Sequence, residues 1–228
     1  MEEEPEIMSL KILIVGEPTV GKTSISRRYS KGIFTSAYKS TIGVDFFTKH
    51  LKWNDKLELH LQLWDLAGQD KIGLQVRTYF KGTLGAICIY DVTQEKTKAK
   101  SLDWKDMLTE NCLRHDNTQS FPPILLLGNK VDLLEEDKIP SDNEINKQAI
   151  NMGFIGGVLT SAKNNIGIDG AMSTLITEIL QRQENPLRFI IKGEGQEKDK
   201  DIVQLASPQT NNSDQALKKI ETEKGCCY

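Results

Sequence analysis

Apolar positions follow two alternating rhythms along the chain. Leu10–Val15 is apolar apart from Lys11 and ends at Gly16, the pattern of a strand buried on both faces. Leu57, Leu59, Leu61 and Leu63 alternate with Glu58, His60, Gln62 and Trp64, which predicts a strand with one drier face. The stretch Val44–Trp53 can pair with it across the turn Asn54-Asp55. Leu84–Tyr90 and Ile124–Leu127 read as further strands, and Gly157–Leu159 as a weaker one. Between them lie helical periods near residues 22–30, 99–114, 142–152 and 168–182. In the last, Ile168, Ala171, Met172, Leu175, Ile176, Ile179 and Leu180 share one helix face. Alternation of strand and helix predicts an α/β fold: a mostly parallel sheet with helices on both faces. Ligands of such sheets bind just beyond the carboxyl ends of the strands.

Composition narrows the class. The 228 residues are 38% apolar, enough for a real core. A net charge of −3 argues against a general nucleic-acid binder. The longest apolar stretches fall far short of the ~20 residues a membrane-spanning helix needs. Residues 1–8 read as an acidic leader without the features of a secretory signal, 9–183 as the folded part, and 184–228 as a polar, flexible tail. Cys88, Cys112, Cys226 and Cys227 form neither a disulfide framework nor a zinc spacing, which fits a reducing cytosol. His50, His60 and His115 show no partner pattern and are assigned no role.

The chemistry falls just after the strands. Gly16-Glu17-Pro18-Thr19-Val20-Gly21-Lys22-Thr23 fits GxxxxGK[ST] between a strand and a helix. Its backbone amides and the helix N-terminus suit phosphate oxygens, Lys22 can reach the β- and γ-phosphates, and Thr23 can offer its hydroxyl to Mg²⁺. Asn129-Lys130-Val131-Asp132 follows a later strand, and the Asp132 carboxylate can accept both donors of a guanine edge. Adenine would leave that carboxylate unpaired, which disfavours an ATP-dependent kinase. In Ser161-Ala162-Lys163 a backbone N–H can meet guanine O6. Asp65-Leu66-Ala67-Gly68-Gln69 places Asp65 to hold Mg²⁺ through water, Gly68 to bond the γ-phosphate and Gln69 to orient the attacking water. Thr41 can give its hydroxyl to Mg²⁺ and its N–H to the γ-phosphate; both contacts vanish after hydrolysis.

These motifs, in this order, resemble the Ras-like small GTPases. Thr41-Ile42-Gly43-Val44-Asp45-Phe46, Trp64 to Gln69, Tyr79-Phe80-Lys81-Gly82 and Cys226-Cys227 resemble the Rab family in particular. Trp104 and the stretch from Gly153-Phe154-Ile155 to Asn165 resemble the Rab branch that serves lysosome-related organelles. The resemblance implies a P-loop NTPase G domain over 9–183: a six-stranded, mostly parallel sheet with one antiparallel edge strand. It implies that Ser24 joins the nucleotide-binding set, that Phe34 stacks on guanine and that Tyr38 lies near the phosphates. It makes Lys22, Thr41 and Gln69 the catalytic set, and Phe46, Trp64 and Tyr79 an effector surface. Implied ligands are GTP or GDP with Mg²⁺. Implied partners are an exchange factor, a GTPase-activating protein, effectors, a prenylation escort and a carrier for the GDP form, with the G protein itself a monomer.

Two positions depart from the family pattern. Asp70-Lys71-Ile72 lacks the aromatic that usually follows the switch glutamine, and Pro18 sets a bulky ring where Ras has glycine. Slow but not abolished hydrolysis is the expectation; the alternative is a non-cycling, GTP-bound membrane scaffold. The ending Cys226-Cys227-Tyr228 implies two geranylgeranyl groups, and two chains anchor where one is marginal. The tail carries seven basic against eight acidic residues, so the lipids must supply the membrane affinity. The expected location is the cytosolic face of an intracellular membrane, with a cytosolic pool.

Overall fold

A computed structural model of the chain describes residues 4–37, 39–68, 78–112 and 121–182. Strands β1 (Glu6–Gly16), β2 (Val44–Asn54), β3 (Leu57–Leu66), β4 (Gly85–Asp91), β5 (Ile124–Asn129) and β6 (Gly157–Thr160) form one sheet in the order β2-β3-β1-β4-β5-β6. All neighbours are parallel except β2 and β3, which run antiparallel with Phe46 opposite Trp64 and His50 opposite His60. This is the six-stranded sheet with one antiparallel edge strand that the motifs implied.

Helices α1 (Lys22–Lys31), α2 (Glu95–Asn111), α3 (Asp142–Asn151) and α4 (Ile168–Gln181) cover both faces. Alternation along β1 divides the core. Met8, Leu10, Ile12 and Ile14 pack with Ile25 and Tyr29 of α1 and with the apolar stripe of α4. Leu13 and Val15 face the other way, toward Trp104 and Leu108 of α2. Each large side chain so buried contributes roughly 1.5–3 kcal/mol.

Two boundaries differ from the sequence reading. β1 begins at Glu6, whose N–H bonds the Lys56 carbonyl, and Met8 is fully buried. Residues 6–8 of the expected leader are therefore sheet. α2 starts four residues before the expected 99, at Glu95. Its first turn is polar and carries no apolar stripe. It is set instead by Thr97, whose Oγ1 donates to the carbonyls of Gln94 and Asp91 and accepts the Asp91 N–H. The parallel order brings the ends of β1, β3, β4 and β5 to one edge, and the motifs lie there.

Candidate nucleotide site

The loop after β1 turns through Gly16 into α1, and α1 is built without an N-terminal side-chain cap. Its cap residue is Gly21, in left-handed backbone at φ 100°. A Cβ there would come within 2.3 Å of Asn129 Nδ2, so no other residue fits. The contrast with α3 is instructive. There Ser141 Oγ accepts the Glu144 N–H, as at an ordinary helix start. Uncapped first-turn amides at α1 leave donors and a positive dipole end aimed at the cleft. Thr19 at the loop tip is also left-handed, at φ 65°. A cleft of about 500 Å³ opens in front of this loop. Pro18, Thr19, Gly21, Lys22, Thr23, Ser24, Phe34, Thr41, Gly68, Asn129, Lys130, Asp132, Ala162 and Lys163 all line it.

On the phosphate side, the buried Lys22 ammonium donates to the carbonyls of Gly16 at 3.0 Å and Glu17 at 2.8 Å. Burial holds its pKa below the ordinary lysine value, against the opposing pull of Asp65 and Glu17. Thr23 Oγ1 lies 3.0 Å from Thr41 Oγ1 and donates to Asp65 Oδ2 at 2.5 Å. Three oxygen-bearing side chains from the loop, the 41 segment and β3 thus converge. Asp65 is fully buried, and its second oxygen, Oδ1, has no partner among the described residues. Burial pushes its carboxyl up to about 6, opposed by the Thr23 hydrogen bond and the Lys22 charge. An orphaned carboxylate oxygen among hydroxyls fits a hard, oxygen-seeking Mg²⁺. Gly68 rests directly on the loop: a Cβ would fall 2.4 Å from Pro18 N and 2.6 Å from Glu17 C. Gln69, Tyr38, Asp70-Lys71-Ile72 and the cysteines 226 and 227 lie outside the described residues.

On the other side the loops are tied to one another. Asn129, buried at the end of β5, donates from Nδ2 to the Val20 carbonyl at 2.9 Å. Its Oδ1 accepts from the Ala162 N–H and from Thr160 Oγ1. Asn129 therefore braces the phosphate loop against the 161–163 loop, and the Ala162 amide is spent on that brace. Lys130, left-handed at φ 73°, sends its ammonium to Asp91 Oδ2 at 2.7 Å. Asp132 Oδ1 accepts from Ser161 Oγ at 2.5 Å, and Ser161 Oγ in turn accepts the Asn164 N–H. Phe34 stands at the rim with the Arg28 guanidinium 5.9 Å from its ring centre.

Two residues of this frame, Arg28 and Asp91, escaped the sequence reading, and for a third, Trp104, that reading gave a family resemblance and no contact. Arg28 donates from Nε to the Ala162 carbonyl at 2.8 Å and from Nη2 to the Lys163 carbonyl at 3.0 Å, joining α1 to that loop. Asp91 receives Lys130. Trp104 donates from Nε1 to Glu17 Oε1 at 3.1 Å, pinning the phosphate loop to α2. A motif search passes over each of them, because their spacing to the motifs follows from the fold. Only the indole N–H of a tryptophan on an apolar helix face hinted that a partner was needed.

The apolar triad lies beside the cleft. Phe46 meets Trp64 edge-on at 4.6 Å, and Trp64 meets Tyr79 at 6.1 Å. Lys11 Nζ sits 3.5 Å over the Trp64 ring and donates to the Lys81 carbonyl. Phe46 is 58% exposed, so the ordinary reading of the triad as core packing fails for it.

A sheet of this order with an uncapped phosphate loop on its central strand, faced by oxygens at the end of β3, is the frame of a P-loop nucleotide-binding domain. The Ras family model matches residues 11–181. Over 185 residues the chain is 40% identical to Ras-related protein Rab-32A of Dictyostelium discoideum, covering 80% of this chain and 84% of that one. It is 36% identical to human Ras-related protein Rab-32 over 218 residues (95% and 88%), and 39% identical to human Ras-related protein Rab-7L1 over 171 residues (75% and 82%). The chain belongs to the Ras family and, within it, to the Rab small GTPases, on the branch of Rab-32 and Rab-7L1 to which its sequence pointed. It is accordingly a guanine-nucleotide-binding GTP hydrolase of the trafficking type.

Proposed function

We propose that the chain is a two-state membrane-trafficking switch that engages effectors with GTP bound and resets by hydrolysing it to GDP. The observation that carries this reading is the cluster of Thr23, Thr41 and Asp65 oxygens. It joins the phosphate loop to both segments that would sense a third phosphate. Thr23 and Thr41 would hold Mg²⁺ by their hydroxyls and Asp65 through a water, and the ion would supply neutralisation of phosphate charge. Lys22 gives up its loop carbonyls for phosphate oxygens and keeps its charge against them. Thr41 and Gly68 present backbone N–H groups to the γ-phosphate, and Gln69 orients the water that attacks in line. Ser24 and the loop N–H groups of Glu17 and of Thr19 to Lys22 bind phosphate oxygens, Pro18 having none to give. Phe34 stacks on the base, Tyr38 closes over the phosphates, and Asp132 reads the guanine edge. Asn129, Lys130, Ser161, Ala162 and Lys163 position that reader.

The motifs themselves contain no arginine to serve as a finger in cis. Unassisted turnover in Ras itself is on the order of 10⁻⁴ s⁻¹, so a GTPase-activating protein is required, and an exchange factor for the reverse reset. Effectors meet Phe46, Trp64 and Tyr79. Geranylgeranyl groups on Cys226 and Cys227, installed through an escort, hold the monomer on the cytosolic face of an intracellular membrane. A carrier maintains the cytosolic GDP-form pool. Lysosome-related organelles are the membranes to examine first. Amide exchange of GDP-loaded and GTP-analogue-loaded protein tests the switch. Segments 35–44 and 67–80 gain protection with the triphosphate; equal exchange overturns the reading.

Pro18 favours a second reading, the non-cycling scaffold, since its backbone nitrogen lies against Gly68, the residue assigned to the γ-phosphate. Single-turnover hydrolysis decides. Wild type is slower than Pro18→Gly yet responds to an activating protein if the chain cycles; a wild type inert even with that protein establishes the scaffold.

A further inference from the structure

The β2–β3 hairpin carries a side-chain cluster that the nucleotide chemistry does not use. His50 and His60 stand directly opposite each other, with rings 3.9 Å apart and 9° from parallel. Glu58 precedes His60 by two residues, so it shares that face of the sheet. Its Oε1 lies 2.9 Å from His60 Nε2 and 4.0 Å from His50 Nδ1. One donor atom from each of the three residues falls within 4.8 Å of the others. A tetrahedral zinc site, with bonds of about 2.0–2.1 Å, separates its donors by about 3.3 Å. The two nitrogen–oxygen distances bracket that value, and a tilt of the stacked rings away from parallel turns both imidazole lone pairs toward one ion.

Three features make this more than a surface hydrogen bond. The donors sit on paired strands, whose ladder fixes their separation before any ion arrives. The set is two imidazoles and one carboxylate, which suits a borderline ion such as Zn²⁺ and not the hard Mg²⁺ of the phosphate site. The His50 side chain is 62% exposed, which leaves a fourth position open to water.

We propose that His50, Glu58 and His60 form a surface site for a divalent transition-metal ion of the zinc type, on the sheet face that also carries the Phe46–Trp64 pair. The imidazoles bind as neutral ligands, and Glu58 leaves its hydrogen bond to His60 to become the third ligand.

The test uses full-length, GDP-loaded protein in excess Mg²⁺, in a Cys226→Ser/Cys227→Ser background that removes competing tail thiols. Zn²⁺ is titrated against a chromophoric chelator, and Co²⁺ binding is followed by its visible ligand-field bands. One ion per chain is expected, together with the intense bands of four-coordinate Co²⁺. His50→Gln and His60→Gln each weaken binding on the order of a hundredfold, and Glu58→Gln weakens it less. GDP affinity stays unchanged, which confirms an intact fold. Affinity unaltered by His50→Gln, the most exposed of the three substitutions, overturns the proposal. So does the absence of saturable binding below millimolar Zn²⁺.

Discussion

At the base end of the cleft the side chains hold one another: Asn129 grips Val20 and Ala162, Lys130 grips Asp91, and Asp132 accepts from Ser161. At the phosphate end they wait for something else. Lys22 is parked on carbonyls of its own loop, and Asp65 keeps a buried oxygen with no partner among the described residues. The difference follows from what each end must do. A base is the same in both nucleotide states, so its reader is best preformed. A γ-phosphate comes and goes, so its sensors must have something to lose.

Breaking the base end should cost most. Asp132→Ala is expected to weaken GDP binding on the order of a thousandfold and to erase preference over ADP, measured by displacement of a fluorescent nucleotide. Its Mg²⁺ dependence should survive, since the Thr23–Asp65 cluster is untouched.

The phosphate end responds to pH. Because burial raises the Asp65 carboxyl to about 6 from 3.8, the folded chain keeps a proton that the unfolded chain has released across that interval. Mg²⁺-free protein should therefore lose stability as pH rises from about 4 to 6, by at most about 3 kcal/mol. Mg²⁺ binding needs the ionised carboxylate and should tighten over the same interval. Asp65→Asn should flatten both profiles, read by thermal melts with and without Mg²⁺.

Arg28→Ala removes two bonds that tie α1 to the 162–163 carbonyls. A loss of about 1–2 kcal/mol is expected, seen as a lower Tm together with faster GDP release. The smallest effect is expected where the phosphate loop is pinned to α2. Glu17→Gln weakens the acceptor of the Trp104 indole and should cost under about 1 kcal/mol. It should raise amide exchange in the phosphate loop while leaving the 129–132 loop unchanged.

Much of this was legible in the sequence for a physical reason. Phosphate, magnesium and guanine are each recognised by short segments, and these follow strands that the apolar pattern picks out, nearly continuous in β1 and β5 and alternating in β3. The turn after β2 foretold its pairing with β3, the family resemblance implied six strands with one antiparallel edge, and the order of the strands came only with the structure. What remained hidden depends on crossings between distant segments. Arg28 reaches residues 162 and 163, Trp104 reaches residue 17, and Lys130 reaches Asp91. No local period encodes such pairs. The histidines show the same limit: His50 and His60 looked unrelated until the hairpin register set them face to face. The start of α2 was missed because polar bonds around Asp91 and Thr97, not an apolar stripe, define it.

β1 lies between β3 and β4, and its partners Leu57–Asp65 and Gly85–Ile89 come later in the chain. During synthesis the strand that carries the phosphate loop therefore emerges well before either neighbour exists. Its apolar side chains lack both sheet partners until the chain has been made through Ile89, which lengthens the interval in which they are open to wrong contacts.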